Sequence, residues 1–356
     1  MRAGGDRLEV SAPVRERADS LTRALESGTV RRVTLTPLIL RHSASDVLER
    51  RRRLFSEWSV ERQDFGYAVR FGRDLRPTPK TPSGRRVTGQ FDLLEVGNHT
   101  CILASTLTRE AEELGPALVA HRAYPLASRP FIRSQDLVRL IVRVAAQRQW
   151  EALCTDAMGY HRETGEFRRD MRFEPVADAF REMQEQGRDM HQVRVIFRTE
   201  TGPRHVVTTL NRHGRATLYA GDVRLIASDF VLEAVQGSRA RAKGLSVERS
   251  TRPTLQKAVR LKFAEGTFRH SGDCRLLCDA VRRGDGLNVT TVHLNPYLNA
   301  QVIDYLSGQA VAMLVLDGAT VSLVPRSSRC EEIMDRLIAT VFRFFGEADL
   351  GVEAVG

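Results

Sequence analysis

Lysine is scarce in this sequence, whereas arginine is abundant. The only lysines among the 54 basic residues are Lys80, Lys243, Lys257 and Lys262, and the other 50 are arginines. A functional explanation is that the planar guanidinium of arginine binds two phosphate oxygens at once. The alternative is a GC-rich genome, whose codons favour arginine over lysine. Codon bias would explain the ratio of the two residues, but it would not by itself produce an excess of positive charge.

Long apolar runs are also missing. No segment approaches the roughly 18 uncharged apolar residues that a membrane span requires, and the first ten residues contain no apolar core of a secretory signal. Five cysteines, an odd number spread along the chain, indicate reduced thiols rather than a disulfide framework. We therefore expect a soluble protein of the cytoplasm with no membrane partner.

Motifs of the common enzyme and metal sites are absent as well. The chain has no GxxxxGK[ST] phosphate loop, no GxGxxG after a strand, no HExxH, no CxxC and no GxSxG. No lysine stands two residues after an acidic one, as common nuclease sites require. The sequence therefore predicts no cofactor and no metal, and leaves open only an enzyme of an unrecognised type.

Periodicity predicts an α+β fold of two domains, each built from β-hairpins packed with amphipathic helices. The domains are expected at residues 1–160 and 161–356, with a basic linker at about 238–252. Tight-turn signals stand at Gly97-Asn98 and Asp317-Gly318. The predicted helices include 45–58, 134–149 capped by Ser134, 175–186, 296–307 and 329–346. A hairpin followed by a Ser-capped helix recurs three times, which indicates either an old duplication or ordinary layering.

The net charge of +10 is unevenly distributed. Residues 1–86 carry a net +8 and residues 221–286 a net +5, whereas residues 287–356 carry −4. Such polarity favours a polyanionic partner. Two basic segments, residues 70–86 and 238–252, are expected to be mobile loops that contact phosphates. The predicted nucleic-acid-binding residues are Arg70, Arg73, Arg76, Lys80, Arg85, Arg86, Arg239, Arg241 and Lys243. Basic loops that only keep a protein soluble remain the alternative.

Two further groups of arginines stand in the first half. Arg50 to Arg53 are consecutive on a predicted helix, and a solvated helix surface is the simpler interpretation. The run from Arg122 to Arg133 interleaves basic residues with Tyr124 and Phe131, which is a pattern of single-strand binding. A loop whose aromatic rings pack on the core is the alternative.

Two other local patterns suggest ligands. A predicted strand over 288–294 that contains His293, a cap at Asn295 and a helix that opens at Pro296, just before Tyr297, would form a helix N-terminus able to bind an anion. His270, Cys274 and Cys278 are spaced four apart and would need a fourth ligand to hold zinc. An ordinary strand-to-helix turn and buried core cysteines are the alternatives.

The leading hypothesis is a non-catalytic protein that binds the phosphate backbone of DNA or RNA with little sequence specificity. A second hypothesis is a subunit of a protein complex, or a self-associating chain, that uses residues 329–346. Phe342, Phe344 and Phe345 give that helix more apolar surface than one face needs. The third hypothesis is an enzyme centred near His293.

Overall fold

The structure is a computed structural model, and it describes residues 10–77, 84–97, 99–161, 165–199, 204–244, 256–284, 286–294, 297–327 and 330–355. The helices are α1 (Ala12–Glu26), α2 (Ala44–Arg51), α3 (Arg109–Leu114), α4 (Pro116–His121), α5 (Ser134–Gln147), α6 (Val176–Glu185), α7 (Val223–Ile226), α8 (Glu233–Gly244), α9 (Ser271–Arg282) and α10 (Glu331–Phe345). The strands are β1 (Val33–Leu40), β2 (Glu57–Gln63), β3 (Gly66–Leu75), β4 (Arg85–Glu95), β5 (Thr100–Ser105), β6 (Ala127–Ser128), β7 (Glu151–His161), β8 (Gly165–Pro175), β9 (Arg188–Arg198), β10 (Arg204–Asn211), β11 (Ala216–Ala220), β12 (Gln256–Lys262), β13 (Leu287–His293), β14 (Leu298–Asp304), β15 (Ala310–Val315), β16 (Thr320–Pro325) and β17 (Asp349–Val355).

The strands form two sheets, and the predicted α+β class is confirmed. The larger sheet has the order β2-β3-β4-β5-β1-β11-β10-β9-β7-β8, with the short β6 paired to β1. The smaller sheet has the order β13-β14-β15-β16-β12-β17. Within the described residues, no helix combines the length and the apolar composition that a membrane crossing requires.

Contacts divide the chain into two compact units. The first unit comprises the residues up to Met158, Arg168–Glu182 and Met190–Gly237, and the second comprises Gly159–Phe167, Met183–Asp189 and the residues from Ser238 onward. The main division thus falls between Gly237 and Ser238, whereas the boundary predicted from the sequence lies at residues 160 and 161.

Each unit contains the same order of elements. In the first, β1 is followed by α2 and by the meander β2 to β5, whose last strand returns to pair with β1. In the second, β12 is followed by α9 and by the meander β13 to β16, whose last strand returns to pair with β12. The elements that share this topology are not the ones in the hairpin–helix recurrence that the sequence suggested.

Strand β1 lies at the centre of the larger sheet and is buried along almost its whole length. It pairs with β5 from Thr34 to Ile39, whereas its pairing with β11 ends at Leu35. Pairing with β6 begins at Ile39. Pro37 therefore lies between the residues that pair with β11 and those that pair with β6, while on the other edge it stands opposite Ile102 of β5.

Two helix predictions need correction. The predicted helix 45–58 ends early: α2 stops at Arg51, a 3₁₀ turn covers Arg52–Leu54, and Trp58 lies on β2. Trp58 still reaches the core, because its ring stacks on Phe55 with centroids 4.7 Å apart. Helix α5 is confirmed, but Ser134 does not cap it, since its hydroxyl donates to the carbonyl oxygen of Met190 at 2.9 Å.

Helix α1 is attached to the larger sheet by a buried ion pair. The Nη2 atom of Arg17 lies 2.6 Å from Oδ2 of Asp92 on β4, and the Asp92 side chain is only 5% exposed. Burial raises the pKa of Asp92, while the charge and hydrogen bond of Arg17 oppose that rise. The guanidinium thus replaces part of the favourable hydration that the carboxylate loses when folding buries it.

Replacing Arg17 by methionine is expected to destabilise the fold by about 1.5–3 kcal/mol, because a buried carboxylate loses its partner. Chemical denaturation measures the change. The exposed Arg15 on the same helix provides the control, and Arg15→Met should change stability by no more than about 0.5 kcal/mol. Adding Asp92→Leu to Arg17→Met should restore part of the lost stability. Equal losses of stability in Arg17→Met and Arg15→Met would contradict the role of the ion pair between Arg17 and Asp92.

The turn between β10 and β11 contains an enclosed histidine. Oδ1 of Asn211 accepts hydrogen bonds from the amides of His213 and Arg215, and Gly214 adopts a φ of 67°. Nδ1 of His213 lies 3.2 Å from the carbonyl oxygen of Pro130. Burial, followed by the positive charges of Arg129 and Arg212, holds the pKa of His213 well below its usual range.

Acid should therefore destabilise the fold through His213. A histidine with a depressed folded-state pKa contributes its full stability above the unfolded value of about 6.5, and this stability falls by up to about 1.4 kcal/mol per pH unit as pH decreases below it. His213→Asn keeps a donor for Pro130 but does not titrate. Denaturation midpoints at several pH values should show a weaker acid dependence for this variant than for the exposed control His42→Gln. Identical pH profiles would contradict the prediction.

Candidate nucleic-acid interface

The first predicted basic segment, residues 70–86, is not a loop over most of its described length. Arg70 and Arg73 lie on β3, and Arg85 and Arg86 lie on β4. The two strands pair from Gly66 opposite Leu94 to Leu75 opposite Arg85. The prediction failed because the sequence between β3 and β4 is polar and proline-rich, and that composition is typical of a loop. Arg76 is exposed just after β3, and Lys80 lies outside the described residues.

The arginines that begin β4, next to the connection from β3, already have acidic partners. Nη2 of Arg86 lies 2.5 Å from Oε2 of Glu57, and its Nε lies 3.9 Å from Asp74. Nη2 of Arg85 lies 2.8 Å from Oε2 of Glu110. These side chains belong to a salt-bridged sheet surface, and their excess charge is smaller than the sequence suggested.

The second predicted segment, residues 238–252, is not a linker where it is described. Arg239, Arg241 and Lys243 lie on α8, and residues 245–252 fall outside the described part of the chain. Arg241 is only 14% exposed, and its Nη2 lies 2.8 Å from Oδ1 of Asp335. Burial lowers the pKa of Arg239. Ser238 and Gly244, residue types that suggested a linker, lie in α8.

The proposed anion site at His293 is also wrong in its geometry. His293 ends β13, and the next described element is β14, which begins at Leu298; Asn295 lies outside the described residues. A predicted helix over 296–307 is therefore replaced by a strand with alternating burial. His293 is exposed and pairs with Asn299 across the two strands, and Tyr297 is 48% exposed. No helix N-terminus is formed here by the described residues.

The cysteines near His270 are core residues. His270 precedes α9 as its N-cap, and Cys274 and Cys278 are each 1% exposed. Burial is the main cause that raises the pKa of both thiols. Within the described ranges, no group of three or more His, Cys, Asp or Glu side chains is placed to hold a metal ion.

The apolar surplus of the C-terminal helix is covered inside the second unit. Phe342 of α10 is fully buried and meets Phe263 edge to face, with centroids 6.5 Å apart. Phe345 packs against Phe268 at 5.4 Å, and the guanidinium of Arg283 lies over Phe344. The prediction of an exposed apolar patch at residues 329–346 is therefore wrong, because more than one face of this helix is packed.

A different group of arginines converges on Tyr124. We define the Tyr124 cluster as Arg41, Arg50, Arg51, Arg122 and Tyr124. The guanidinium of Arg41 lies 5.3 Å from the centroid of the Tyr124 ring, and Nη2 of Arg51 donates to the Tyr124 carbonyl oxygen at 3.2 Å. In the sequence, Arg50 to Arg53 and the run from Arg122 stand out as separate patterns, and Arg41 belongs to neither.

Strand pairing brings these segments together. Leu40 at the end of β1 pairs with Ala127 on β6, and the amides of Arg41 and His42 donate to the carbonyl oxygen of Leu126. Below the cluster lies a hydrophobic core that includes side chains from α2, α4 and the turn before β6: Ala44, Val47, Leu48, Val119, Ala120, Ala123 and Leu126. The cluster therefore stands on a packed support.

The electrostatics of the Tyr124 cluster differ from those of the predicted basic segments. Burial lowers the pKa of Arg51, and the positive charges of Arg50 and Arg122 lower it further. Nε of Arg51 is buried and has no hydrogen-bond partner among the described residues. Residues 41–53 and 116–133 together contain eight arginines but only two carboxylates, Asp46 and Glu49. Like charges are held close together here, which favours binding of an anion.

Comparison with known proteins assigns no relationship. No protein-family model matches the chain, and no curated protein shows significant sequence similarity to it. A function is therefore inferred from the geometry and charge of the chain's own residues.

The buried thiols predict low reactivity of the five cysteines. All five are free and buried, and burial, followed by nearby carboxylates, raises the pKa of Cys154 to about 12. Raising the pKa of a thiol by about one leaves about tenfold less of the reactive thiolate. Native protein should therefore react slowly with Ellman's reagent, whereas denatured protein should react quickly at all five thiols. A fast-reacting thiol in the native protein would contradict this prediction.

Proposed function

We propose that this protein binds the phosphate backbone of a nucleic acid, without catalysis, through the Tyr124 cluster. The observation that supports the proposal is the convergence of like-charged guanidiniums from two segments around one tyrosine, including a buried donor of Arg51 that has no partner among the described residues. A phosphate bound beside these guanidiniums would reduce the repulsion between the arginines.

The aromatic residue favours contact with unpaired bases. A tyrosine next to guanidiniums combines a stacking surface with phosphate-binding groups, as in single-strand binding sites. Backbone-directed binding of this kind has dissociation constants of about 10⁻⁴–10⁻⁶ M at physiological salt and little sequence preference. The free thiols of all five cysteines support a reducing compartment, and we propose the cytoplasm as the location.

The test is fluorescence anisotropy with labelled single- and double-stranded oligonucleotides across a salt series. We expect the logarithm of affinity to fall linearly with the logarithm of salt concentration. Arg41→Gln combined with Arg122→Gln should reduce the slope by about 0.7–0.9 for each phosphate that the variant no longer neutralises.

The matched control is Arg85→Gln combined with Arg86→Gln, because these arginines form ion pairs with acidic residues. The control should retain most of the affinity and most of the salt slope. A larger loss in the control would move the interface to the β3–β4 hairpin, and equal losses would mean that general surface charge, and not the Tyr124 cluster, carries the binding. Absence of binding at low salt to either kind of oligonucleotide would refute the proposed function.

A further inference from the structure

A cleft of about 550 Å³ opens within the first unit, between residues of β7, β8 and β9. It is lined by Thr155, Asp156, Arg168, Asp170, Phe173 and Arg194. The volume lies within the range of about 300–1,000 Å³ that small-molecule sites occupy. None of these residues belongs to the Tyr124 cluster.

A kink in β8 turns an aromatic ring into this cleft. Arg172 and Phe173 have φ values of 48° and 67°, and neither is a glycine. The amide of Arg172 donates to Oδ1 of Asp170 at 3.2 Å, which holds the kink. A regular strand would place residue 173 on the same face as Met171, which is fully buried. Phe173 is instead 52% exposed.

The kink is a costly feature, because L-residues with bulky side chains rarely adopt a left-handed backbone. Such outliers are concentrated at binding sites and catalytic sites, where the surrounding structure maintains them. Here the result of the strained backbone is an aromatic surface at the wall of a cleft, where a planar group could stack on it.

Two arginines and two aspartates line the cleft, and they differ in their partners. Nη2 of Arg168 lies 3.4 Å from Oδ2 of Asp156, and Asp170 accepts from the amide of Arg172. Arg194 lies over the Tyr219 ring at 4.7 Å, and no carboxylate of the described residues lies within ion-pair distance of it. The hydroxyl of Thr155 donates to the carbonyl oxygen of Arg194 at 3.3 Å and orders the strand at this point. A partly buried guanidinium without a counter-charge favours an anionic ligand.

We propose that this cleft binds a small planar aromatic anion, with the anionic group at Arg194 and the ring against Phe173. A nucleoside monophosphate is the probe that represents this chemistry, since it joins a phosphate to a flat base. The proposal does not depend on nucleic-acid binding by the Tyr124 cluster, because the two sites share no residue.

Isothermal titration calorimetry of the full chain with adenosine monophosphate, adenosine and ribose 5-phosphate tests the class of ligand. The monophosphate should bind, and each fragment should bind at least about tenfold more weakly, since one lacks the phosphate and the other the stacking base. No binding of the monophosphate in the millimolar range would overturn the proposal. Equal binding of ribose 5-phosphate would also overturn it, because the ring would then contribute nothing.

Two matched variants separate the aromatic ring from the strained backbone. Asparagine tolerates a left-handed conformation better than phenylalanine or arginine does. Phe173→Asn should keep or raise the denaturation midpoint and weaken adenosine monophosphate binding by about tenfold or more. Arg172→Asn relieves the neighbouring strained residue but keeps the ring, so its binding should stay within about twofold. Retained binding in Phe173→Asn would overturn the role of the ring.

The anion contact is tested on β9. Arg194→Gln should abolish detectable binding of adenosine monophosphate, whereas Arg198→Gln, at a residue that pairs with Glu151 at 3.2 Å, should leave it unchanged. The double variant Arg41→Gln and Arg122→Gln should also bind adenosine monophosphate normally. Loss of this binding in the double variant, with retention in Arg194→Gln, would place the ligand in the Tyr124 cluster and overturn the proposed cleft site.

Discussion

Antiparallel pairing of β1 with its neighbours is the constraint on which the first unit depends. This strand pairs with β5, β11 and β6, so it joins the meander of the first hundred residues to the strands that follow residue 150. A buried strand needs partners for its backbone groups on both edges, and β1 pairs with β5 along one edge and with β11 and then β6 along the other. The same pairing brings Arg41 and His42 to the carbonyl of Leu126, and thereby assembles the Tyr124 cluster.

Arginines with similar sequence surroundings fall into different electrostatic environments in this fold. Those at Arg85, Arg86 and Arg241 contact carboxylates, so part of their charge is neutralised within the protein. Arg51 instead has two other arginines as its charged neighbours. The proposed anion-binding surface depends on this difference, because charge that is already paired contributes little to binding a second partner. A count of charges along the chain does not distinguish the two environments.

Elements with strong periodicity were predictable. A short stretch of sequence is enough to recognise α5 from its apolar stripe and β9 from its alternation of apolar and polar residues. The α+β class follows from several short stretches of this kind. The failures occurred where local composition was ambiguous. Polar residues at the end of the β3–β4 hairpin resembled a loop, and a proline after His293 resembled a helix start. Trp58, predicted on a helix, lies on β2 because the helix before it ends at Arg51.

The sequence alone determined the fold class, the basic character of the chain and most of its strongly periodic elements, since these depend on composition and on the spacing of neighbours. Only the tertiary structure decided which arginines meet carboxylates and which meet one another. It also decided that the apolar surplus of α10 is covered and that Phe173, at a kink in its strand, lines the same cleft as Arg194. The physical reason is that charge pairing and burial act between residues distant along the chain, such as Arg17 and Asp92, and local patterns do not record those distances.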